Sequence, residues 1–215
     1  KNRKTADPLA QCFLPGVPRI MYMEYPYQIF QTADHVAIAF EWSLVHRLIY
    51  TNGKPSPHET EAWMANSRGK WEGDTLVVDV TSHNDKTWFD MAGDFHSDAL
   101  KVTERYTMKD ADTIQYEATI EDPKTFTKPW KITVPLVRQK HMDRLMEYQC
   151  QSEKEEATGD FERDLRTWYP EPGTPPSPLG KPAVFPQVPE PAPVKAGTNL
   201  KRNADGKPNL TGYYN

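Results

Sequence analysis

Apolar and polar residues alternate with a period of two along much of residues 26–150. In His35-Val36-Ala37-Ile38-Ala39-Phe40-Glu41-Trp42, the residues Val36, Ile38, Phe40 and Trp42 interleave with smaller or polar ones, the pattern of a strand with one buried face. Tyr27-Gln28-Ile29-Phe30-Gln31 precedes it across a short Ala33-Asp34 turn, as in a hairpin. Further strands are predicted at 46–50, 74–81, 99–108, 112–121, 130–138 and 144–150, with Asp110-Ala111-Asp112 as turn chemistry between two of them. Successive strands with short turns describe an all-β antiparallel meander that closes into a barrel or folds over as a sandwich, and the barrel is preferred. Helices are few. Ser56-Pro57 supplies an N-cap followed by proline, which predicts a short helix to about Asn66. After Gly159, the residues Phe161, Leu165 and Trp168 share one helical face.

Proline then breaks the pattern. Ten of the 20 prolines fall between Pro170 and Pro193, a density that excludes a helix or a central strand. The organisation expected is therefore a β-barrel domain with short helices over 1–169, an extended strap or linker over 170–194, and a terminal strand segment over 195–215. The strap is either a solvated linker or a segment lying on a partner with Val184, Phe185 and Val188 as anchors.

Composition narrows the function classes. The chain has 215 residues with 26 Lys and Arg against 30 Asp and Glu, a formal charge of −4, which argues against a general nucleic-acid binder. No apolar run approaches the roughly 20 residues of a membrane span. Six Trp, 10 Tyr and 8 Phe mark a folding chain rather than a disordered tether. The start at Lys1, without a signal peptide, reads as a mature, processed or truncated product. Cys12 and Cys150 are the only cysteines, one before the first strand and one ending the last. They can form one disulfide, which places the protein in the periplasm or outside the cell, or they can be two free buried thiols.

Common catalytic fingerprints are missing: no GxSxG, GxGxxG, P-loop or HExxH occurs, and His58-Glu59-Thr60-Glu61 lacks the second histidine of a zincin. No cofactor is expected. One loop, residues 81–106, is richer in His, Asp and aromatics than a turn requires, with His83, Asp85, Trp88, Asp90, Asp94, His96 and Asp98. If the backbone there is extended, Asp94, His96 and Asp98 fall on one side, a weak oxygen/nitrogen metal candidate. The competing reading is a polar loop with His96 bonded to backbone. In the next strand Leu100, Val102, Glu104, Tyr106 and Met108 share a face that is otherwise apolar or aromatic, so Glu104 should point inward. An inward carboxylate needs a partner, for which His46, Arg47, His96 or a tyrosine are candidates. Such a pair serves either as a structural ion pair or as an acid–base or ligand site. The candidate pocket residues are Trp88, Asp90, His96, Glu104 and Tyr106, with His96, Glu104 and Arg105 as candidate catalytic groups.

Several motifs carry a resemblance. Cys12-Phe13-Leu14-Pro15-Gly16-Val17-Pro18-Arg19, RGKWEGDTLVVDVTSHNDKTWFD at 68–90, HSDALKVTERYTM at 96–108 and EDPKTFTKPW at 121–130 resemble a family of uncharacterised secreted proteins of soil bacteria. The resemblance implies an exported single domain, and the Trp-Glu-Gly-Asp-Thr-Leu-Val-Val strand is similar to strands of lipocalin-like barrels. It implies no activity, although His96, Ser97, Glu104 and Arg105 lie in the most recognisable motif. Members open with a segment like D-G-K-P-D-L-S-G-x-W as a first barrel strand. Here its counterpart, Asp205-Gly206-Lys207-Pro208-Asn209-Leu210-Thr211-Gly212-Tyr213-Tyr214, follows the strap instead.

A barrel missing its first strand exposes two unpaired edges. The tail, with Leu210, Gly212, Tyr213 and Tyr214 as the strand donor, can loop back into its own barrel, complete a neighbouring molecule's sheet, or be the disordered start of another domain. The expectation taken forward is an extracytoplasmic assembly subunit, linked head to tail by strand complementation and able to form fibres. The alternative is a small-molecule-binding barrel or an acid–base hydrolase or lyase. Self-association is the partner expected, with a small-molecule ligand second and neither nucleic acid nor a membrane span.

Overall fold

A computed structural model describes residues 6–54, 60–159 and 200–215. It divides into two compact units, one formed by residues 1–148 with 197–215 and the other by residues 149–196. The first unit is a nearly closed, mostly antiparallel β-barrel. Its strands are β1 (Tyr27–Gln31), β2 (His35–Phe40), β3 (His46–Tyr50), β4 (Asn66–Glu72), β5 (Thr75–Thr81), β6 (Lys101–Met108), β7 (Thr113–Glu121), β8 (Trp130–Val137) and β9 (Gly212–Tyr214). They lie in the order β8-β7-β6-β5-β4-β3-β2-β1-β9.

The alternation read from the sequence places the core. Val36, Ile38 and Phe40 of β2, Val102, Glu104, Tyr106 and Met108 of β6, and Ile114, Tyr116, Ala118 and Ile120 of β7 are all buried, while their neighbours in sequence are more exposed. Register keeps these faces aligned: Val78 sits opposite Glu104, Glu104 opposite Ala118, and Tyr106 opposite Tyr116. All ladders are antiparallel except a short parallel join of β3 to β4, where Ile49 faces Ser67 and Tyr50 faces Arg68.

Three local expectations are corrected. Residues 60–66 form no helix: Ala62 makes an isolated bridge to His83, Trp63 and Met64 turn, and β4 begins at Asn66. Strand β4 escapes the alternation test because its inward positions are Ser67 and Gly69. A Cβ on Gly69 would sit 2.9 Å from Ile49 and 3.1 Å from Leu76, so close packing there requires glycine and leaves no apolar signal. The predicted strand at 144–150 is absent apart from the bridge of Tyr148 to Trp42, which stacks Tyr25, Trp42 and Tyr148 into one aromatic cluster. Helix α1, Cys150–Thr158, starts instead and belongs to the second unit. It is polar, carries an i,i+4 bond from Gln151 to Glu155 (3.0 Å), and stops at Gly159 with φ of +75°. The helical face of Phe161, Leu165 and Trp168 and the proline-rich strap lie outside the described residues. Both cysteines, Cys12 and Cys150, are disulfide-bonded, so the free-thiol alternative does not hold.

Candidate functional site

The strand β9 brings the barrel close to closure. On one side β9 pairs with β1, with Ile29 opposite Gly212, Gln28 opposite Tyr213 and Tyr27 opposite Tyr214. On the other it meets the end of β8: Arg138 bridges Tyr214, the Val137 and Asn215 amides donate to each other's carbonyl (2.9 and 3.2 Å), and the Gln139 amide donates to Tyr213 (2.9 Å). Before Val137 this edge of β8 has no strand partner among the described residues. Because Val137 and Gln139 turn their amides to β9, parity turns the nitrogen of Pro135 to that same edge. Proline there removes a donor and blunts the edge, as does the exposed Lys131.

Sequence explains the tail's hold. Pro208, Leu210 and Tyr214 are buried at even positions, so the tail itself obeys a period of two around Gly212. The Tyr214 ring stacks on Tyr27 at 6.4 Å. Burial pushes the Tyr214 phenol up to about 12, with Arg138 pulling the other way. Arg138 is the clamp: it donates to the Thr211 carbonyl (2.7 Å) and to the Tyr214 hydroxyl (2.6 Å), and its guanidinium lies 4.8 Å from the Tyr214 ring centroid. A Cβ on Gly212 would run into that guanidinium. Upstream, Gln31 accepts from the Leu210 amide (2.9 Å), Arg202 forks onto Asp74 (2.8 and 2.9 Å), and Lys207 lies 6.0 Å over Trp71.

Glu104 is fully buried and points inward, where its neighbours saturate it. Oε1 accepts from Arg47 (3.0 Å), Tyr106 (3.3 Å) and Tyr116 (2.7 Å), and Oε2 takes the other guanidinium nitrogen of Arg47. The Ser67 hydroxyl accepts from Nε and Nη2 of Arg47 (3.0 and 2.9 Å). Burial opposes the charge on Arg47, but Glu104 and the two tyrosines hold the guanidinium protonated. Burial first, then Glu104, push the Tyr106 and Tyr116 phenols well up. A buried carboxylate that already accepts four hydrogen bonds, two of them from a guanidinium, is poorly placed to take a proton from a substrate. The nearby Tyr27 hydroxyl is buried and has no hydrogen-bond partner among the described residues.

The loop of residues 82–100 forms a different network. The Thr87 hydroxyl donates to Nε2 of His96 (2.6 Å), whose Nδ1 donates to the Ser97 carbonyl (3.0 Å). Burial lowers the His96 pKa, partly offset by the Ser97 carbonyl, Asp122 and Asp85, so the ring is neutral at pH 7. His83 lies beside it, ring centroids 5.9 Å apart. Burial, then the charges of His96 and Arg47, push the His83 pKa down to about 3 against a pull from the Val80 carbonyl. Asp90 caps the turn through the amides of Ala92, Gly93 and Asp94 (2.8, 3.0 and 3.2 Å), and the half-buried Trp88 bridges Phe95. Asp122 ties Ser97 through its amide (2.6 Å) and hydroxyl (2.7 Å).

The candidate residues thus separate. His96 belongs to the loop network and Glu104 to the interior one. Arg105 points outward to Glu72 at 3.1 Å. Tyr106 joins Glu104. The expectation that Asp94, His96 and Asp98 share one side is corrected: Asp98 stands in the turn at 98–99 and pairs with Lys124 (2.6 Å) at the surface, Asp94 is exposed, and His96 is buried. No group of three His, Cys, Asp or Glu among the described residues is arranged to hold a metal ion. Sequence reasoning missed Thr87, Ser67, Tyr116, Asp122 and Arg138. For Tyr116 the alternation of β7 is a usable signal; nothing local marks Arg138. Compared with protein-family models, curated proteins and solved structures, the chain finds no match.

Proposed function

We propose that the protein is an extracytoplasmic assembly subunit whose tail completes the barrel of a neighbouring copy, joining subunits head to tail. The observation that carries the reading is the seam. A barrel of eight strands is left with two edges, and the strand that fills the gap comes from the far end of the sequence, after residues 160–199. In the structure this strand sits in the chain's own barrel, and the same groove presents the same partners to a tail arriving from outside, as in domain swapping. Ten prolines fall between Pro170 and Pro193 in the intervening segment, and 24 residues of proline-rich chain can span roughly 70 Å at about 3.1 Å each. The disulfide and the resemblance to exported proteins favour an oxidising compartment, the periplasm or the outside of the cell.

The pocket alternative has less behind it. Glu104 is saturated and His96 is engaged elsewhere, so the acid–base pair it needs is not assembled.

Cross-linking decides who donates the strand. Gln28 and Tyr213 face each other across β1 and β9, so Gln28→Cys with Tyr213→Cys can form a disulfide there. After oxidation, a non-reducing denaturing gel should show a ladder of covalent oligomers. Monomers alone would refute strand exchange, and dimers alone would replace the open fibre with a closed pair.

A further inference from the structure

The tail has a second feature upstream of β9 that rests on the strand-exchange reading and extends it to partner choice. Residues 202–208 bond to one another as well as to the barrel. Arg202 bridges Pro208, the Asn203 amide donates to Lys207 (2.9 Å), the Gly206 amide donates to Asn203 (2.9 Å), and the Asn209 amide donates to Lys201 (2.8 Å). Asp205 caps the Lys207 amide at 3.1 Å, and Gly206 takes φ of +78°, a conformation that favours glycine. The Asp205-Gly206-Lys207-Pro208 run therefore builds a knuckle.

Arg202 is held within it. Its Nη1 donates to the Gly206 carbonyl (2.9 Å), and both terminal nitrogens reach the two oxygens of Asp74 (2.8 and 2.9 Å). Asp74 stands in the turn between β4 and β5, next to Gly73, and Trp71 of the same hairpin receives Lys207. Exposed ion pairs ordinarily contribute little because two long side chains must be frozen to make them. Here the guanidinium is oriented by its own knuckle and meets the carboxylate as a fork, which reduces that ordering cost and adds directionality.

We infer that the Arg202–Pro208 knuckle is a recognition element for the β4–β5 turn of the receiving copy, with the Arg202–Asp74 fork selecting a second copy of this chain as partner. The strand's main-chain bonds carry no sequence information, so the choice of partner rests on side-chain contacts such as this fork. A charge that must meet its opposite at a fixed point rejects tails lacking it.

A charge swap tests this. Asp74→Arg and Arg202→Asp are each purified, checked by circular dichroism and thermal midpoint for an intact barrel, and assembled alone and as an equimolar mixture. Assembly is read by sedimentation and negative-stain microscopy. Each variant alone places like charges at the contact and should raise the critical concentration roughly three- to tenfold. In the mixture every contact between unlike variants joins opposite charges again, the two introduced side chains at one junction and the native Asp74 and Arg202 at the next. The mixture should therefore return to within about twofold of wild type while forming mixed particles. Variants that assemble alone like wild type, or a mixture no better than its parts, would overturn the recognition role while leaving strand exchange standing. A wild-type protein that stays monomeric, with the Gln28–Tyr213 cross-link confined to one chain, would overturn strand exchange and this inference with it.

Discussion

The polar interior and the seam solve opposite problems with similar residues. Around Glu104, an arginine, two tyrosines and a serine satisfy one another deep inside β3–β7, backed by ladders of seven paired residues between β4 and β5 and eight between β6 and β7. At the seam, another arginine and another pair of tyrosines hold a strand of three residues that pairs with three residues of β1 and only the end of β8. The interior cluster cannot be taken apart without leaving a charge stranded. The seam can release its strand and offer all its groups to water or to an equivalent strand. Low local stability is what an exchangeable element needs, whereas the interior network fixes the barrel on which that element docks.

The largest effect should follow from breaking the interior pair on one side only. Arg47→Met leaves Glu104 buried and unpaired, and should cost about 3–5 kcal/mol in urea denaturation. Adding Glu104→Leu should recover most of the loss, since a buried pair exchanged for apolar groups is often close to neutral. Recovery stays incomplete because the Tyr106 and Tyr116 hydroxyls lose their shared acceptor, at roughly 1 kcal/mol each. A double variant no better than Arg47→Met would mean that the cluster is held by packing and not by mutual satisfaction of charge.

Acid should find the buried histidines next. His83 titrates at about 3 in the folded protein against 6.5 ordinarily. Above pH 6.5 neither state binds the proton and the stability is complete. Between 6.5 and 3 the unfolded chain takes up a proton that the folded one refuses, so stability falls with falling pH by at most about 1.4 kcal/mol per pH unit from this group. His96, also lowered by burial, acts in the same direction. In Asp122, burial raises the pKa but the bonds from Ser97 and its neighbours outweigh it, and the net lowering adds a further loss nearer the carboxylate range. His83→Gln should therefore flatten the unfolding free energy between about pH 6 and pH 4.5. An unchanged slope there would show that His83 is not held neutral by its surroundings.

Legibility from the sequence follows the same division. The interior half is readable because β2, β6 and β7 alternate strictly, and that alternation alone puts the odd carboxylate, Glu104, inside. Arg47 is among the partners the sequence offers it, while Tyr116 and Ser67 come from strands whose register no local pattern specifies. Strand β4 is unreadable because its buried positions are a serine and a glycine, chosen for close approach rather than hydrophobicity. The segment 144–150 looks like a strand from composition, but it lacks a neighbour along its length, and only Tyr148 finds a bridge. The tail is marked by the turn chemistry of its Asp205-Gly206-Lys207-Pro208 run, whereas its clamp is invisible, since Arg138 follows β8 and is about 75 residues away in sequence from the carbonyl and hydroxyl it holds.

The smallest effect isolates that clamp. Gly212→Ala adds a methyl where the Arg138 guanidinium lies, so the arginine must swing aside and give up its bonds to the Thr211 carbonyl and the Tyr214 hydroxyl. At about 0.5–1.5 kcal/mol for each of the two hydrogen bonds, the tail should loosen by about 1–3 kcal/mol with the β1–β8 ladders untouched. Hydrogen exchange reads this directly, as faster exchange at the Asn215 amide, which donates to Val137, while amides of β6 and β7 keep their protection. The cause is separable from any intrinsic cost of the methyl. In an Arg138→Ala background the clamp is already gone, so Gly212→Ala should cost only the strain of a side chain at φ of +158°, and the difference between the two backgrounds reads the clamp. Equal costs in the two backgrounds would show that the seam is held by its backbone rungs alone, and that Arg138 merely lies beside them.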